Sequence, residues 1–90
     1  MTAETSARAL IADDEESIRF VLREALEEDG WEVIDVDNGD AAFEALAAGQ
    51  FQVAFFDIRM PGLTGLELLD HLRAVGSQTA AVIITAQNTF

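Results

Sequence analysis

The sequence predicts an α/β fold, a parallel sheet covered on both faces by helices. Two observations carry that reading. Four short apolar runs, at residues 9–12, 31–36, 51–56 and 81–84, alternate with three stretches of helical periodicity, giving the order βαβαβαβ. The runs VAFF and AVIIT are nearly continuously apolar, as strands buried on both faces are. Each crossover returns the chain in the same direction with right-handed sense, so all strands end at one edge.

The first strand, Ala9-Leu10-Ile11-Ala12, stops at Asp13-Asp14. Apolar residues at 18, 21, 22, 25 and 26 then mark one face of a helix, with Asp14 or Ser17 as its cap and Gly30 as its stop. The second strand, 31–36, is interrupted by Glu32 and Asp35. A second helix spans 40–48 around Phe43 and Leu46 and halts at Gly49. The third strand, 51–56, runs into Asp57. Thr64 and Glu67 have capping-box spacing, and Leu68, Leu69, Leu72 and Val75 mark a third helix ended by Gly76. The fourth strand closes at Thr85. Trp31, Phe43, Phe51, Phe55 and Phe56 are read as core, and His71 as a partly exposed helix residue.

Composition narrows the function. The chain has 90 residues, half of them apolar, enough for one small domain over 1–90. Its net charge is −12, from 17 acidic residues against five arginines and no lysine. That balance argues against contact with a nucleic-acid backbone and suits a cation site or a basic partner. There is no cysteine, hence no disulfide or thiolate metal site. The first residues lack a signal-peptide pattern and no apolar stretch is long enough to span a bilayer, so a cytoplasmic protein without membrane contact is expected.

Three strand ends carry polar groups: Asp13-Asp14, Asp57 and Thr85. Open α/β sheets bind ligands at that carboxyl edge. Three carboxylates gathered there repel one another unless a hard cation joins them, and magnesium takes oxygen ligands of this type. A carboxylate so placed is a competent nucleophile for phosphoryl transfer. The acidic run 13–16 also suits the N-terminus of any helix, where the macrodipole favours each acid by roughly 0.3–1 kcal/mol, and Glu15 and Glu16 are read as only that. Pro61 and Gly62 shape the loop after Asp57, and Gly65 is read as serving the start of the third helix.

The segments ADDEESIRFVL, DIRMPGLTGLELL and VIITA, in that order, resemble the receiver domain of bacterial response regulators. SIRFVLREAL with DIRMPG looks most like the receivers of nitrogen-regulation activators that work with sigma-54. The resemblance implies a flavodoxin-like, doubly wound sheet, here with strand order 2-1-3-4. It implies that Asp57 accepts a phosphoryl group from a histidine of a sensor kinase and that Mg2+ is held by Asp14, by Asp13 through water, by Asp57 and by the backbone carbonyl of Arg59. Thr85 matches the switch hydroxyl, and Ala86 the small residue after it. The output domain of a longer regulator, transcriptional in this subfamily, is the implied recipient of the signal. Such a domain assists its own phosphorylation but is not a classical enzyme.

The family's lysine at the end of a fifth strand has no counterpart, nor do that strand and the last two helices, so a truncated piece of a longer regulator is expected. The fourth strand then becomes a bare apolar edge and part of the first helix's sheet face is uncovered, which predicts a homodimer or exchange of elements. The competing reading is an interaction module that is not phosphorylated. A phosphatase with an aspartyl nucleophile of the haloacid-dehalogenase type would need Asp-x-Asp, and Asp57 is followed by Ile58 and Arg59.

Overall fold

The computed structural model describes residues 7–85. It contains β1 (Arg8–Ala12), α1 (Glu16–Glu28), β2 (Glu32–Val36), α2 (Gly39–Ala48), β3 (Val53–Asp57), α3 (Gly65–Ala74) and β4 (Ala80–Ile84). The strands form one parallel sheet in the order β2-β1-β3-β4. Order, direction and element types therefore agree with the sequence reading, and boundaries move by a residue or two.

The sheet's two faces are unequally covered. Leu10 and Ala12 of β1, Ala54 and Phe56 of β3, Ala42 of α2, and Leu68 and Leu72 of α3 share one core. Strand alternation turns Ala9, Ile11, Val33, Phe55 and Val82 to the other face, against which α1 packs on β1 and β2. No α1 residue is fully buried. Val21 and Ala25, expected on its apolar face, are exposed, Val21 at 63 %. The sheet-facing side is made instead by Ile18, Leu22 and Leu26, with the half-buried Arg19 and Arg23 beside them. At the far edge, Val82 of β4 is 41 % exposed.

The helix ends explain the short connections. After α1, the amide of Gly30 donates to Glu27 O and that of Trp31 to Leu26 O, with Gly30 at φ 91°. After α3, Gly76 donates to Arg73 O and Ser77 to Leu72 O, with Gly76 at φ 68°. Both are Schellman closures, which need a residue tolerant of the left-handed region. Thr64 and Glu67 make the reciprocal capping box expected of them.

Several expectations are corrected. The N-cap of α1 is Glu15, which makes no side-chain cap bond, so neither Asp14 nor Ser17 caps it. Asn38, not singled out from the sequence, caps α2 by accepting from the Ala41 amide at 2.7 Å. Val75 is the C-cap of α3 and exposed. Among the aromatics, Phe51 and Phe56 are core, while Trp31 and Phe55 are half-buried. Phe43 lies on the surface with its ring 4.7 Å from that of His71.

Candidate functional site: a carboxylate cluster at the sheet edge

The site begins where β1 and β3 run out. The Asp13 amide donates to Val36 O at 3.2 Å, which prolongs the β1–β2 ladder by one residue and holds Asp13 at the edge. Asp57 is the last residue of β3, opposite Ile84 of β4, and the next amide, Ile58, donates to Ile84 O at 3.3 Å. Because β1 and β3 are neighbours, Asp13, Asp14 and Asp57 converge. One carboxylate oxygen from each lies within 4.8 Å of the others.

Depth differs among the three. Asp14 is exposed, Asp57 half-buried, and Asp13 only 1 % accessible. Asp13 Oδ1 accepts the Glu15 amide at 2.8 Å, whereas Oδ2 is buried without a hydrogen-bond partner among the described residues. Burial pushes the Asp13 carboxyl up from its ordinary value, the Glu15 amide opposes this, and the charges of Asp57, Asp14 and Glu15 add to the rise. A buried carboxylate with one unpartnered oxygen, close to two more carboxylates, suits a cation. The donor set, three hard oxygens with no nitrogen or sulfur, fits magnesium, with coordination places left for water or a phosphoryl oxygen.

The loop after Asp57 is built by contacts the sequence did not reveal. The Gly39 amide donates to Pro61 O at 2.8 Å, and the Leu63 amide to Asp40 Oδ1 at 3.3 Å, tying the loop to the start of α2. Gly39 lies so close to Leu63 that a Cβ would overlap its carbonyl. A Cβ on Gly65 would likewise overlap the Asp57 carbonyl. Gly65 therefore starts α3 as expected and also seats that helix on the strand end carrying Asp57. Arg59 is exposed, and its amide approaches Asp57 Oδ1 at 3.4 Å. Thr85 follows directly on β4 at the same edge. Ala86 lies outside the described residues.

Residues 9–90 match the sequence pattern of the response regulator receiver domain family. The chain is 40 % identical over 80 residues to the transcriptional regulatory protein YkoG of Bacillus subtilis, covering 89 % of this chain and 35 % of that protein. It is 38 % identical over 78 residues to the DNA-binding transcriptional regulator NtrC of Escherichia coli, covering 87 % of this chain and 17 % of that one. The chain thus spans about a third or less of the length of these relatives. Among solved structures, the response regulator TrrA of Thermotoga maritima in complex with Mg2+-BeF superposes with a TM-score of 0.83 at 34 % identity, covering 91 % of this chain and 71 % of that one. The chemotaxis regulator CheY4 of Vibrio cholerae superposes equally well, 0.83, at 30 % identity over 94 % and 72 % of the two chains. With the sheet order, the carboxylate edge and these likenesses in agreement, the chain belongs to the response regulator receiver domains.

Proposed function

We propose that this domain is the phosphoacceptor of a two-component pathway, with Asp57 as the residue phosphorylated. The observation that carries the reading is the cluster itself: three carboxylates gathered at the sheet's carboxyl edge, one of them buried with an unpartnered oxygen. Asp13, Asp14 and Asp57, with the Arg59 carbonyl, would hold Mg2+. Bound there, the ion would offset most of the cluster's negative charge and screen incoming phosphoryl oxygens.

An oxygen of Asp57 forms a bond to phosphorus as the bond from phosphorus to the donor histidine nitrogen of a sensor kinase breaks. The histidine leaves with the electron pair of that bond. The anchored loop 58–64 keeps Asp57 from turning away, and Asp13 and Asp14 favour a metal-dependent reaction by making the metal-free edge repulsive. Thr85, at the neighbouring strand end, supplies a hydroxyl for the phosphoryl oxygens and passes the change to an output domain of a longer regulator, transcriptional in the NtrC type. The domain is a recipient of one phosphoryl group per event rather than a turnover enzyme, and it acts in the cytoplasm. No helix among the described residues is long and apolar enough to cross a membrane.

The exposed Val82 on edge strand β4 and the exposed Val21 on α1 support self-association through this side, which sedimentation velocity of the chain and of Val82→Asp measures. Family membership favours the phosphoacceptor over an interaction module that is never phosphorylated. The deciding experiment treats the chain with Mg2+ and a small phosphodonor and weighs it by mass spectrometry. Addition of one phosphoryl group, abolished by Asp57→Asn and by chelation, is the expected result. An unmodified wild-type chain refutes the reading for this domain.

A further inference from the structure

Arg19 lies on the first turn of α1, directly behind the cluster. Its Nη1 donates to the main-chain carbonyl of Asp13 at 2.8 Å, and its Nε lies 3.3 Å from Asp35 Oδ2 on β2. The Asp13 amide is already held by Val36 O, so this residue is fixed from β2 through its nitrogen and from α1 through its oxygen. The carbonyl of Asp13 belongs to the rigid peptide plane that joins Asp13 to Asp14. Holding that oxygen therefore fixes the tilt of the plane from whose two ends both carboxylates project.

One turn on, Arg23 offers an internal comparison. It too reaches Asp35, Nη2 to Oδ1 at 3.5 Å, but its hydrogen bonds go to Val33 O at 3.1 and 3.2 Å. Its other ion pair is with Glu27 at 3.7 Å. Both arginines fasten α1 to the same β2 carboxylate, and of the two only Arg19 bonds the backbone of the cluster.

We propose that Arg19 is a positioning residue for the divalent-cation site: its guanidinium forks between the Asp35 carboxylate and the Asp13 carbonyl, and so sets the geometry and the affinity of the Asp13-Asp14 pair for the ion. The inference rests on the metal-site reading above. Two divergent donors on one planar group suit this task, and a lysine ammonium on a flexible stem does not reproduce the fork. Charge alone predicts the opposite sign, because removing a cation beside a cation site tightens metal binding. Affinity therefore separates positioning from electrostatics.

The test titrates Mn2+ into the wild-type chain, Arg19→Gln, Arg19→Lys and Arg23→Gln, following free Mn2+ by electron paramagnetic resonance, with thermal midpoints recorded in chelator. Groups that orient metal ligands typically govern affinity by about 10–100-fold, so both Arg19 variants should bind Mn2+ at least about tenfold more weakly. Arg23→Gln should bind as the wild type does while losing comparable thermal stability. If Arg19→Gln does not fold, Arg19→Lys, which keeps the charge and loses the fork, decides. Wild-type or tighter affinity in a folded Arg19 variant overturns the proposal, as does an equal loss in Arg23→Gln. A wild-type chain that binds no Mn2+ overturns the site reading and this inference with it.

Discussion

Replacing Asp13 by asparagine removes one charge from the cluster and little else. The Oδ1 that accepts the Glu15 amide is kept, and the orphaned Oδ2 becomes an amide that can donate to a neighbouring carboxylate. Carboxylate oxygens within 4.8 Å of one another repel by about 3.5 kcal/mol per pair at an effective dielectric near 20, and by about 0.9 kcal/mol at the value of bulk water. Asp13 faces two such charges, Asp57 half-buried and Asp14 exposed and screened, so the relief should be at least about 1 kcal/mol in metal-free buffer at neutral pH. For a domain of this size each kcal/mol moves the melting midpoint by roughly 4–8 °C. Asp13→Asn should therefore melt at least about 4 °C above wild type in chelator. Mg2+ should raise the wild type, by about 2.7 kcal/mol at a hundred times its dissociation constant, and raise the variant much less. Thermal unfolding followed by circular dichroism, with and without Mg2+, measures both. A variant that melts at or below wild type in chelator refutes the argument that the buried carboxylate is held under repulsion.

The same reasoning fixes a pH dependence. The folded Asp13 carboxyl is raised, by burial first and then by its acidic neighbours, so the folded protein binds that proton more tightly than the unfolded chain. Its stabilising contribution is fully present below the unfolded value and is lost as pH rises through the raised one. The gap in midpoint between Asp13→Asn and wild type should narrow as pH falls through that window in chelator, and a gap that widens counts against the assignment. Gly65→Ala would drive a methyl group into the Asp57 carbonyl; it should lower both stability and phosphodonor labelling, whereas Ala at Gly30, where a Cβ meets nothing but φ is 91°, should lower stability alone. Thr64→Ala removes the capping box of α3 and should cost about 1 kcal/mol in denaturant unfolding. Asp57→Asn should abolish labelling while leaving the fold intact by circular dichroism.

What the sequence disclosed and what it hid follow from the range of the forces involved. Strand and helix order, the Gly30 and Gly76 closures and the Thr64–Glu67 box are set by residues a few positions apart, so periodicity and spacing revealed them. Asp13, Asp14 and Asp57 were placed together because a parallel sheet brings every strand end to one edge, a rule of topology rather than of local sequence. The seat of α3 on the Asp57 carbonyl and the tie from Gly39 and Asp40 to the 61–63 loop join residues more than twenty positions apart in the latter case, and nothing in the glycine pattern marks such contacts. The error on α1 has a different cause. Its apolar positions 18, 21, 22, 25 and 26 cover an arc wider than the contact with β1 and β2, so periodicity could not say which part meets the sheet. The face that does includes Arg19 and Arg23, whose stems pack while their heads reach β2.

The placement of the arginines bears on why the cluster exists. With a net charge of −12, a sequence shaped for stability alone would set its few cations against its most crowded acids. Instead the ion pairs of Arg8, Arg19 and Arg23 go to Glu32, Asp35 and Glu27. Among the described residues no ion pair reaches Asp13, Asp14 or Asp57. Arg19 passes within hydrogen-bond distance of Asp13 and takes its carbonyl rather than its carboxylate. The arginine thus organises the backbone of the site and leaves its charge unneutralised. That is a local violation of the rule that buried charge is paired, of the kind expected where function rather than folding sets the residues. Unpaired, the carboxylates are available to an exchangeable cation, and on the function proposed above the state of Asp57 would then depend on the ion rather than on the fold alone.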